Sequence, residues 1–190
     1  CLLVKKHYHF VFKKLHDMDL LMTSTPPKTP VALTPLQPNE ATAVVMVGEH
    51  RGIGLHNLLW ILRTFPNHFK NFIFVSVGIV DVESFSAKKE LTTMQENTNE
   101  MLDYFVNYCQ QQGLAAKGFA AYGTDPTEKL TRLSKKIIKE FPHSLFFASK
   151  LIFSKDNWIT RLLHNETAVM LQRRLHLLGV QLVILPMKID

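Results

Sequence analysis

Three glycines and two histidines stand close together in one stretch of this chain, Gly48-Glu49-His50-Arg51-Gly52-Ile53-Gly54, followed by Leu55-His56. The stretch separates a strand-like apolar run (43–47, AVVMV) from a helix-like one (55–65), so it occupies the first βα turn of an open α/β arrangement, where such folds bind ligands. Glycine lets the backbone turn with positive φ and lets a ligand approach closely, and the N–H groups opening the next helix attract an anion. The chemistry on offer is phosphate or carboxylate binding, with Gly48, Gly52, Gly54 and His56 as first candidates. The order G-x-x-x-G-x-G is neither the dinucleotide fingerprint G-x-G-x-x-G nor a phosphate loop ending in Gly-Lys-Ser/Thr. Three glycines that merely pack a tight turn account for it as well.

The other strand ends where a ligand would sit are 77–81, 122–125 and 150–156, which add Asp81 and Lys150 to the binding candidates. Asp81 and Asp125 could pair as acid and base or hold a metal, but each stands where a helix or turn follows a strand, and capping is the commoner use. Glu49, His50 and His56 offer metal ligands, yet no Cys or second carboxylate stands at ligand spacing, so no metal is expected. Ser76, Ser149 and Ser154 have no partner identifiable from sequence, and no nucleophile elbow, carboxylate pair or Ser/His/Asp arrangement emerges. The chain therefore reads as non-enzymatic, with no cofactor. Its densest polar stretch supplies a candidate structural or docking network, Arg161, His164, Asn165, Glu166 and Arg173, at spacings of about one and two helical turns.

Short, nearly continuous apolar runs at 41–47, 71–77, 114–122, 144–153 and 180–187 alternate with helical patterns at 55–65, 87–112, 126–140 and 156–178. Such runs are the mark of parallel strands covered on both faces by helices. The expected fold is α/β, three-layered and Rossmann-like, with a five-stranded parallel sheet. Right-handed crossovers returning past the first strand give the order 3-2-1-4-5. Asp125-Pro126 has the form of an N-cap with a first-turn proline, and Gly113 and Gly179 stop helices.

At 190 residues and 46% hydrophobic content, the chain can hold one domain of about 150 residues plus an extension. With only Cys1 and Cys109 no disulfide framework is available, and a reducing, cytoplasmic setting is expected. The net charge of +6 is spread between Lys5, Lys6, Lys13 and Lys14 at the front and Lys135, Lys136 and Lys139 further on, so no nucleic-acid partner is expected. Val4, Tyr8, Val11, Leu15, Met18 and Met22 fall on one helical stripe. Five prolines then break residues 23–40 into a linker. The expected organisation is an amphipathic helix (1–22), a Pro-rich linker (23–40) and an α/β domain (41–190). The opening on Cys1 without a signal-peptide pattern, an apolar stub followed by Lys5-Lys6-His7, reads as the cytoplasmic exit of a membrane helix in a longer protein. In an isolated fragment the N-terminal stripe is expected to mediate homodimerisation or contact with an anionic membrane surface.

The runs Gly52-Ile-Gly54-Leu-His56, 65–78 (FPNHFKNFIFVSVG), Lys150-Leu-Ile-Phe153, 158–168 (WITRLLHNETA) and Gln172-Arg173-Arg174-Leu175 resemble the C-terminal cytoplasmic region of bacterial amino acid permeases of the amino acid-polyamine-cation superfamily. The resemblance covers about residues 40–190, the basic segment 5–19 also resembles the stretch just after the last membrane helix, and His164-Asn165-Glu166 is its most specific part. It implies a universal-stress-protein-like or Rossmann-like regulatory or interaction domain below the membrane portion of the same transporter, at the cytoplasmic face of the inner membrane. Nucleotide-binding universal stress proteins carry a glycine motif after the fourth strand, whereas residues 149–158 here contain no glycine. ATP binding does not follow from the resemblance, and a nucleotide or anion would have to use Gly48–Gly54.

Overall fold

Five apolar segments pair edge to edge in the computed structural model, which describes residues 34–48, 50–79, 87–153 and 166–189. They are β1 (Thr42–Met46), β2 (Asn71–Ile79), β3 (Ala115–Gly123), β4 (Ser144–Phe153) and β5 (Leu182–Ile189), alternating with α1 (Arg51–Thr64), α2 (Ala87–Gln111), α3 (Pro126–Glu140) and α4 (Glu166–His176). All four pairings are parallel, in the order β3-β2-β1-β4-β5. This is the three-layer order expected from the sequence. β1 is central, and Ala43, Val44 and Val45 are fully buried because both faces of the sheet are covered.

Alternate residues feed two cores. Ala43, Val45, Phe72, Phe74 and Phe147 face α1 and α2, meeting Leu58, Ile61, Leu102 and Phe105. Val44, Ile73, Val75 and Phe146 face α3 and α4, meeting Ile137, Phe141, Leu171 and Leu175. Each fully buried Phe or Leu contributes about 1.5–3 kcal/mol relative to exposure. Phe74 and Phe105 stack at 5.1 Å, which fixes α2 against the sheet.

The helix ends follow local chemistry. Asp125 Oδ1 accepts from the N–H groups of Thr127 (2.8 Å) and Glu128 (3.0 Å), with Pro126 at the first helical position. Gly113 and Gly179 take φ of +73° and +74°. The N–H of Leu114 then reaches back to Cys109 and that of Val180 to Leu175, each at 3.0 Å, closing two helix C-termini of the same design. α1 differs from expectation. It starts at Arg51 rather than 55, so Gly52 and Gly54 lie inside its first turn.

The described end of the Pro-rich segment is bound to the domain. Asn71, fully buried at the start of β2, donates through Nδ2 to the Gln37 carbonyl (2.7 Å) and Thr42 Oγ1 (2.9 Å), while the Gln37 N–H donates to Asn71 Oδ1 (2.8 Å). Thr34 Oγ1 donates to the Gly113 carbonyl at 3.2 Å, and Leu36 packs on the α3–α4 core. The expected N-terminal helix and most of the linker lie outside the described residues, as do Asp81, Ser154, Arg161, His164 and Asn165. Among the described residues, no helix is long and apolar enough to cross a membrane.

Candidate functional site

The chain leaves β1 toward α1 on one face of the sheet and reaches β4 from α3 on the other, so the C-terminal ends of β1 and β4 form the point where the strand order reverses. Val45 pairs with Phe147; two residues further along each strand stand Val47 and Ser149. Ser149 therefore points to the same face as Phe147, toward α1. Asn57 meets it there, donating through Nδ2 to Ser149 Oγ. Asn57 is 0% exposed, and its Oδ1 has no hydrogen-bond partner. His56 Nδ1, beside it in the chain, is likewise inaccessible and unpartnered. A buried acceptor without a partner costs about 1–3 kcal/mol, so the middle of β4, beside the end of β1, holds an amide–hydroxyl pair with unused bonding capacity.

The sequence-derived candidates divide by role. Gly48 follows β1, is exposed, and has open space where a side chain would stand. His50 is the extended residue that opens α1, and its side chain does not cap the helix. Gly52 and Gly54 are buried in the first turn. A Cβ on Gly54 would collide with the ring of Phe105 and come within 2.9 Å of Val47 Cγ1, so close approach of α1 to β1 and α2 accounts for this glycine. Arg51 holds the same junction from outside, 4.0 Å from Glu100 and 5.2 Å above the Tyr104 ring. Lys150 follows Ser149 in β4, opposite Pro186 of β5. Glu166 begins α4, and Arg173 is exposed in its last turn. The other members of the proposed docking network and Asp81 fall outside the described residues; of the binding candidates, Gly48 follows β1, His56 adjoins Asn57 in α1, and the Lys150 backbone follows Ser149 in β4.

Two members of the site escaped the sequence reading. Ser149 is partnered after all, by Asn57, 92 residues away in the chain. The signal for Asn57 was an amide three residues after Gly54 and four before Ile61, on the buried stripe of α1. Asp125, weighed as a chemical group, is a helix cap. Ser76 is buried in β2. Cys109 is fully buried at the end of α2, where desolvation pushes its thiol pKa up and keeps it protonated. No group of three or more potential metal ligands occurs among the described residues.

No protein-family model matches the chain, and no curated protein matches it. Among solved structures, a universal stress protein family protein from Arabidopsis thaliana, crystallised with AMP bound, is similar at 11% identity and a TM-score of 0.49, covering 77% of this chain and 91% of that one. At that level the likeness says nothing of what this chain binds, and the fold stands on the strand order and pairing described above.

Proposed function

We propose that the chain is a non-catalytic regulatory or interaction domain of a secondary amino acid transporter, working at the cytoplasmic face of the membrane on the membrane portion of the same protein. The resemblance of residues 40–190 to permease C-terminal regions supplies the transporter context. The observation that carries the regulatory part is the Asn71 clamp. A passenger domain needs no rigid attachment, whereas a domain that biases another part of its protein needs a path for the coupling. Two hydrogen bonds between the buried Asn71 side chain and the Gln37 backbone, together with the Thr34–Gly113 bond, hold the incoming chain to the base of the sheet, and a third bond ties Asn71 to Thr42 of β1. The test is substrate uptake by the full-length transporter with and without residues 41–190, compared at equal protein level. Altered uptake supports the proposal; unchanged uptake with unchanged protein level overturns it.

A second reading, a nucleotide- or anion-sensing module at Gly48–Gly54, is favoured by the buried, unused hydrogen-bonding atoms of Asn57 and His56 in the helix that this stretch opens. Turned over, the Asn57 amide would offer an N–H in place of the oxygen. Titration calorimetry with ATP separates the two. The first reading expects no dissociation constant tighter than about 10 μM, or about −7 kcal/mol. Tighter binding that disappears in Asn57→Ala would establish the second.

A further inference from the structure

The helical layer on one face of the sheet concentrates exposed cations and exposed aliphatic side chains. α3 carries Lys129, Arg132, Lys135, Lys136 and Lys139 against only Glu128 and Glu140. Arg132, Lys135, Lys136 and Lys139 are all exposed. α4 shares the core under α3 through Leu171 and Leu175, so the two helices form one layer. Its outer side exposes Val169 (48%), Met170 (46%) and Arg173, and the turn that follows exposes Leu177 (84%) and Leu178 (41%). On the other face, the exposed charges among the described helix side chains are Arg63 of α1 and Glu96, Glu100 and Asp103 of α2, with Leu59 (39%) the exposed large aliphatic. The α3–α4 layer thus concentrates exposed cations beside several bare aliphatic side chains, whereas the described exposed charges of α2 are carboxylates.

We propose that the α3–α4 layer is a membrane-binding face that seats on an anionic bilayer surface. Cations and exposed aliphatics together decide the partner. Nucleic-acid phosphates would satisfy Arg132, Lys135 and Lys139 but leave Met170 and Leu177 in water. The headgroup region of an anionic bilayer takes both, with lysine and arginine at the charged surface and aliphatic groups below it. Lys136 leans on the Phe119 ring, 6.0 Å from its centroid, and Lys117 approaches Glu140 at 4.0 Å, so these two belong to the β3 flank. Arg132, Lys135, Lys139 and Arg173 are the cations of the seat. The inference goes beyond the transporter reading: its failure in a vesicle assay leaves the uptake comparison intact, and the converse holds.

The test is co-sedimentation of the full 190-residue chain with vesicles of phosphatidylserine and phosphatidylcholine, or of phosphatidylcholine alone. The chain is expected to bind the first far more tightly than the second, and less so as salt rises. The triple variant Arg132→Glu, Lys135→Glu, Lys139→Glu is expected to weaken partition by about tenfold or more. The double variant Met170→Ser, Leu177→Ser is expected to weaken it several-fold while keeping the salt dependence. An unchanged melting temperature certifies the fold. If the triple variant does not fold, Lys135→Gln, Lys139→Gln replaces it, with a several-fold loss expected. Wild-type affinity in the charge variants overturns the proposal and moves binding to the basic front of the chain. Binding to a DNA duplex without binding to anionic vesicles overturns it in favour of nucleic acid, and absence of any vesicle binding overturns it outright.

Discussion

At the scale of single residues, two positions show how packing and bonding share the region around the first turn. Gly54 is where α1 comes closest to its neighbours, and Phe105, buried and stacked on Phe74, has no room to swing aside. Gly54→Ala should destabilise the protein by about 1–3 kcal/mol in a denaturant titration, in spite of alanine's better helix propensity. A neutral or stabilising result would show that α1 can lift away from α2. Cys109 gives a pH signature. Its thiol is held protonated in the folded state by burial, so its contribution is complete below the ordinary thiol value of 9.0 and is lost as pH rises past it. The stability advantage of the wild type over Cys109→Ala should shrink above about pH 9, by about 1.4 kcal/mol per pH unit. A constant gap would contradict it. The glycine cluster was legible as a special place because glycine spacing is local. The Asn57–Ser149 bond was not legible, because its partners stand 92 positions apart and only the fold brings them together.

At the scale of elements, the sequence was most readable where local chemistry closes an element. α3 runs Pro126–Glu140 as expected because Asp125 and Pro126 make its start, and α2 ends one residue before expectation because Gly113 turns the chain out. α1 was misjudged by four residues because its first turn contains two glycines, which read locally as loop, and close helix packing accounts for one of them, Gly54. Asp125→Ala removes an acceptor from two N–H groups and should cost about 1 kcal/mol, lowering the melting temperature without altering the fold. No measurable shift would mean that water replaces the cap at no cost.

At the scale of the molecule, the parallel pairing followed from strands apolar on both faces and helical connections, whereas the order β3-β2-β1-β4-β5 required in addition a return past the first strand, which local sequence does not dictate. The attachment of residues 34–40 did not follow, because proline-rich sequence reads as a free tether and the clamp depends on Asn71, buried 34 residues away from Gln37. On the proposed transporter reading, that attachment is what would separate a regulator from a passenger. The most direct measurement is substrate uptake by the full-length transporter carrying Asn71→Ala, beside the intact protein and the deletion of 41–190, at matched abundance and with cooperative unfolding of the Asn71→Ala chain confirmed. Asn71→Ala is expected to move uptake toward the value of the deletion. Uptake equal to that of the intact transporter, in a background where the deletion changes it, would contradict the account by showing that the domain acts without the clamp.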